Sequence, residues 1–207
     1  MGELRLLLLG GATASGKTTS GTAIAARLDA SCVSADAIWQ ALRAATTRES
    51  HPAFHYFEPS EDEWRRGPDF LCARHIECAE TMSPPLDAAI DFELHQRHPL
   101  VFEGAWITPE MAARRVQMSA QTRAVFIYEP EESEILASMV RRQNRDSPSE
   151  RQVKLAAMAW RYGNWLREGA EKHGLPIVRA RPRDTLVERI VDAIALQTTN
   201  SCSGRSK

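Results

Sequence analysis

The stretch Gly11-Ala-Thr-Ala-Ser-Gly16-Lys17-Thr18 sets two glycines five positions apart, with a lysine and a hydroxyl directly after the second. This is the spacing GxxxxGK[ST], and it follows an apolar run and precedes a helical stretch, the context in which the pattern has a mechanism. The glycines let the backbone curl until successive N–H groups point inward, and the following helix N-terminus adds partial positive charge toward bound phosphates. Residues Gly11, Ala12, Thr13, Ala14, Ser15, Gly16, Lys17, Thr18 and Thr19 are therefore expected to cradle a nucleoside triphosphate. Lys17 would reach its outer phosphates, and Thr18 would offer its hydroxyl to Mg²⁺.

Other residues could act on what the loop holds. Asp36 follows a short apolar segment; a carboxylate at the carboxyl end of a strand can orient a nucleophilic hydroxyl, and the same residue could instead cap the helix that begins there. Glu103 ends the run "VFEG", where an indirect contact through metal-bound water suits Mg²⁺, and contact with an acceptor is the alternative. Arg141, Arg142 and Arg145 close a helix at spacings that put pairs on one face. Cations there compensate the helix dipole, or arrive on closure to stabilise charge spreading over a transferred phosphoryl group. Trp39 and Trp106 flank the expected cleft and could line an acceptor pocket or simply pack.

The elements that must position these groups alternate. Residues 3–9 read as a buried strand and 17–28 as a helix; 32–35 is a weaker strand, with helical "AIWQALRAA" after it. Residues 100–102 and 124–128 resume the strands, "EESEILASMVRRQNRD" and 151–172 are helical, and "LPIVRA" is a fifth strand before a last amphipathic helix. Between about 46 and 97 five prolines interrupt the rhythm, which predicts a mostly helical insertion with helices at about 69–82 and 86–96. The expected fold class is α/β, a five-stranded parallel sheet with helices on both faces. One domain spans 1–197, and 198–207 reads as a polar, disordered tail.

Composition narrows the classes further. The 207 residues fit one domain, and 43% hydrophobic content supports a core. Lys plus Arg number 26 against 27 Asp plus Glu, so no global field draws the chain onto nucleic acid or an anionic membrane. No run approaches the roughly 20 apolar residues of a membrane span, and a cytoplasmic location is expected. Four cysteines follow none of the usual zinc spacings. Neither NKxD nor DxxG occurs, which argues against a regulatory GTPase.

The order of "GATASGKT", "SADAIWQAL", "VFEGAW", "RRQNR" and "RARPRDTL" resembles the P-loop kinases of small molecules, a group that includes adenylate, shikimate and gluconate kinases. The resemblance spans most of residues 4–195. Within it, "SADAIWQALR", "HPAFHYFE" and "VFEGAWITP" look like the AAA_33-type and 2-phosphoglycerate-kinase-like branch, while Asp36 and "GPDF" resemble chloramphenicol phosphotransferase. Trp39 stands where the phosphoglycerate kinases commonly carry arginine, which argues against a phosphorylated acceptor. The resemblance implies a three-layer kinase fold with an acceptor-binding insertion and an arginine lid at about 141–151. It also implies ATP as donor, Arg181 and Pro182 flanking the adenine, Asp36 accepting the acceptor's hydroxyl proton, and a small-molecule acceptor. The rival readings are a nucleic-acid end kinase and a non-catalytic ATP-binding switch.

Overall fold

The computed structural model describes residues 4–55, 60–96, 98–144 and 146–203. Five parallel strands form one sheet in the order β2 (Ser31–Ser34), β3 (Leu100–Gly104), β1 (Leu6–Gly11), β4 (Thr122–Tyr128), β5 (Ile177–Arg179). β1 lies centrally, with Leu9 opposite Glu103 on one side and Val125 on the other. Its four consecutive leucines serve both faces, because side chains alternate along a strand. Leu6 and Leu8 join one core, with Phe102, Phe126 and the helices α4 (Gly67–His95), α5 (Pro109–Met118) and α7 (Glu150–Lys172). Leu7 and Leu9 join the other, with α1 (Lys17–Leu28) and α8 (Leu186–Ser203).

This arrangement makes the site. The chain leaves β1 for α1 on one face and leaves β3 for α5 on the opposite face, so the loops at these two neighbouring strand ends diverge. A crevice opens at such a point, where parallel α/β sheets hold their ligands. Gly11 ends β1 there, and Glu103 and Gly104 end β3.

Three expectations change. Pro84 and Pro85 were expected to separate two helices, yet α4 continues through them as one 29-residue helix. Cys78, Ala79 and Met82 before the prolines and Leu86 and Ile90 after them are all fully buried in the sheet's own core, so tertiary packing on both sides outweighs the lost hydrogen bonds. The insertion consequently shares the main core instead of building its own; it also contains a 3₁₀ turn at Pro52–His55 and a short helix, α3 (Glu61–Arg65), opened by a capping box from Ser60 and Glu63. At the C-terminus α8 runs to Ser203, into the stretch expected to be a disordered tail; residues 204–207 lie outside the described residues. α5 had no counterpart in the sequence reading, although Thr108 accepts from the Met111 N–H and Pro109 opens the first turn.

Candidate active site

The phosphate loop carries the backbone that its glycines predict. Gly16 has φ +97° and Ala14 φ +66°. A Cβ at Gly11 would crowd both the Ile127 carbonyl and the Ser15 hydroxyl. Lys17 folds back across the loop, its ammonium donating to the Ala12 carbonyl at 2.9 Å. Burial pulls the Lys17 ammonium below the usual lysine range; Asp36 and Glu103 push the other way, and Arg142 and Arg183 reinforce the lowering. Five ionisable groups drawn from separate parts of the chain thus converge on one point.

Thr18 and Glu103 meet across the crevice, the Thr18 hydroxyl donating to Glu103 Oε1 at 3.2 Å. Glu103 is 1% exposed, and its Oε2 is buried with no hydrogen-bond partner among the described residues. A buried carboxylate oxygen without a donor is costly, and a metal ion or its water shell would satisfy it.

Asp36 lies in the first turn of α2 (Ala35–Ala45), not at the end of β2 and not at the cap position, which Ser34 occupies. It is the close approach of α2 to β3 that brings this carboxylate in. A Cβ at Gly104 would overlap that of Ala35, so the space a side chain would fill at Gly104 is taken by the helix start instead of being left for a ligand. Asp36 then lines a cavity of about 80 Å³ together with Thr13, Ala14, Gly16, Lys17, Thr18, Thr19, Ala105 and Arg142.

A second cavity, of about 380 Å³, shares Ala14, Gly16, Thr19 and Arg142 with the first and continues past Ser20, Ser138, Arg141, Arg183, Leu186 and Val187. Arg141 and Arg142 sit in the last turn of α6 (Glu132–Arg142), as the sequence suggested. Arg145 lies outside the described residues. Arg181 and Pro182 do not line this cavity: the Arg181 Nε donates to Glu129 at 2.9 Å, and its guanidinium also pairs with Glu134. Arg183, which the sequence reading passed over, lines it instead and donates to the carbonyls of both Ala14 and Ser15.

Trp39 and Trp106 are 6% and 3% exposed and belong to the core. They start an aromatic column below the crevice. Trp39 lies 5.1 Å from Trp106, His75 stacks 4.7 Å from Trp106, and Tyr162 sits 4.0 Å from His75 between ring centroids. Trp39 donates its indole N–H to the Phe54 carbonyl at 3.0 Å, and the Tyr162 hydroxyl donates to the Ala105 carbonyl at 2.5 Å. Burial, with Lys17 adding to it, pushes His75 down to about 3, so its imidazole is neutral at pH 7. The column therefore fixes the Ala105 wall of the smaller cavity without lining it.

No family model matches the chain. A curated 2-phosphoglycerate kinase from Methanopyrus kandleri is 23% identical over 200 residues; the match covers 92% of this chain and 60% of that protein, so the chain spans less than two thirds of its relative. Among solved structures, a gluconokinase from Sinorhizobium meliloti 1021 superposes with a TM-score of 0.57 at 16% identity, covering 98% of this chain and 97% of that one. A shikimate kinase from Acinetobacter baumannii, in complex with shikimate, gives 0.54 at 16% identity, with 99% and 96% covered. The chain has the fold of the P-loop small-molecule kinases.

Proposed function

We propose that this protein, starting from that fold, is an ATP- and Mg²⁺-dependent phosphotransferase that moves the γ-phosphate to a hydroxyl of a small molecule. The observation that carries the reading is the convergence of Lys17, Thr18, Asp36 and Arg142 on one cavity at the diverging ends of β1 and β3. Donor cradle, hydroxyl-orienting carboxylate and guanidinium are the parts phosphoryl transfer needs, since its catalysis is mostly positioning and charge stabilisation.

Each group has a task. The loop's N–H groups and Lys17 hold the phosphates. Asp36 orients the acceptor hydroxyl and takes its proton as the new oxygen–phosphorus bond forms and the bond to the departing ADP breaks. Arg142 offsets the negative charge on the transferred group, with Arg141 beside it at the wider end of the site. The pair Thr18 and Glu103 fits a hydrated magnesium ion, because the donor set is all oxygen and Glu103 Oε2 has no hydrogen-bond partner among the described residues. When bound, Mg²⁺ would neutralise charge across the outer phosphates. The near-balanced net charge of −1 favours a small acceptor over a nucleic-acid end. No described helix is long and apolar enough to cross a membrane.

The test is acceptor-dependent transfer. The protein is incubated with ATP, Mg²⁺ and a panel that begins with 2-phosphoglycerate, gluconate and shikimate, and products are read by mass spectrometry for an added phosphate. Transfer to one hydroxyl compound, lost in Asp36→Asn while ADP still binds, is the expected result. Nucleotide binding without transfer to any panel member, accompanied by nucleotide-dependent capture of a protein, would replace the kinase by a switch.

A further inference from the structure

We infer that Arg183 is a positioning residue of the nucleotide site, its guanidinium pinning the Ala14 and Ser15 carbonyls so that the phosphate loop stays turned with its Gly16 N–H toward the phosphates. The inference rests on the nucleotide-binding half of the reading above and is independent of the acceptor.

The geometry is that of a fork on two successive peptide planes. Nη1 of Arg183 donates to the Ser15 carbonyl and Nη2 to the Ala14 carbonyl. In a trans peptide the C=O and the following N–H point in opposite directions. Holding the Ser15 carbonyl against Arg183 therefore turns the Gly16 N–H the other way, toward the cavity lined by Gly16, Lys17 and Thr18. Holding the Ala14 carbonyl fixes the plane before it, whose Ser15 N–H meets the Ala12 carbonyl at 3.3 Å, the same carbonyl that receives Lys17 at 2.9 Å. One guanidinium thus sets two planes of the loop, and through Ala12 it bears on where Lys17 rests.

Two further observations single out Arg183. Gly16 has φ +97°, and a Cβ there would overlap the Arg183 guanidinium, so the glycine of the motif serves the arginine as well as the turn. Behind the fork, the buried Glu129 carboxylate holds Arg181 at 2.9 Å and lies 3.8 Å from Arg183. The Glu129 carboxylate thus adds an ionic contact to the same Nη2 that holds the Ala14 carbonyl, while Arg183 lines the wider cavity beside Arg141 and Arg142. A lysine cannot reproduce this: it brings one point of charge, not a planar pair of donors.

The test compares wild type, Arg183→Lys and Arg183→Met for binding of Mg–ADP by titration calorimetry, alongside thermal unfolding of the ligand-free proteins and, where turnover is measurable, KM for ATP. Expected is a loss of ADP affinity of about tenfold or more in Arg183→Met, the scale of charge-assisted hydrogen bonds. Arg183→Lys should recover only a part of it, and KM for ATP should rise more than kcat falls. The Gly16 amide should also shift in a ¹⁵N spectrum of the ligand-free variants. If Arg183→Met fails to fold, Arg183→Lys decides alone: weaker ADP binding at an unchanged melting temperature supports the inference. Unchanged ADP affinity in the variants, with wild type binding, overturns the inference and leaves the kinase reading standing. A wild type that binds no Mg–ADP overturns both.

Discussion

The phosphate-loop side of the candidate site and the wall at Ala105 are built by different means. Around the phosphate loop, polar and charged groups meet at close quarters: Lys17 on a backbone carbonyl, Thr18 on Glu103, Arg183 on two loop carbonyls. Below the crevice the space is filled by rings, Trp39, Trp106, His75 and Tyr162, which line neither of the two cavities and carry the wall at Ala105. The first side spends its residues on polar contacts that shape the loop. The second spends them on holding a surface still, so that preorganisation there is a matter of packing.

Four measurements break or sharpen this contrast. Asp36→Asn should lower kcat by about a thousandfold, in the range for general acid–base groups, with ADP affinity retained; turnover near that of wild type on the true acceptor would remove Asp36 from the chemistry. Glu103→Gln should cost about a hundredfold in turnover and raise the Mg²⁺ concentration needed for half-maximal rate, since a preorganised charge is lost without loss of shape. A magnesium titration of the rate reads this directly.

The third concerns the ring column. His75 is neutral in the fold, with its titration depressed to about 3 from an ordinary 6.5. A depressed cationic group contributes its stability in full above the unfolded value, and that contribution is lost as pH falls below it, because the unfolded chain then binds the proton that the fold excludes. Between pH 7 and pH 5 the contribution amounts to about 2 kcal/mol. Urea unfolding of His75→Phe against wild type should show that part of the slope vanish in the variant; equal slopes would remove His75 as its source. The smallest effect is expected for Trp39→Phe, which leaves the Phe54 carbonyl without its donor and should cost about 1 kcal/mol in stability. Nucleotide affinity should stay unchanged in a calorimetric titration, as the contrast between the two sides demands.

Legibility follows the same divide. The loop is local in sequence, so its spacing alone announced Gly11 through Thr19, and the five strands were visible as apolar runs. The Asp36 carboxylate stood out in the sequence at the end of a short strand, whereas its seat in α2 beside the cavity depends on Gly104 meeting Ala35, a contact between residues far apart in the chain. Arg183 was hidden for the same reason. "RARPRDTL" offers three arginines at alternate positions, and only the packing of Gly16 against this segment tells which of them reaches the loop. The paired prolines misled because local propensity says break while burial on both sides of Met82 and Leu86 says continue. The aromatic residues could be read as pocket or as core, and their burial decides for core.

One helix belongs to both sides. On α7, Gly163 lies against Ala12 of the phosphate loop, while the adjacent Tyr162 holds the Ala105 carbonyl at the head of the ring column. Neighbouring positions on a single rigid rod thus brace the phosphate loop and the Ala105 wall of the smaller cavity. A substitution that shifts this stretch of the helix therefore moves the Ala12 backbone and the Ala105 wall in the same step, so neither can be adjusted through it alone.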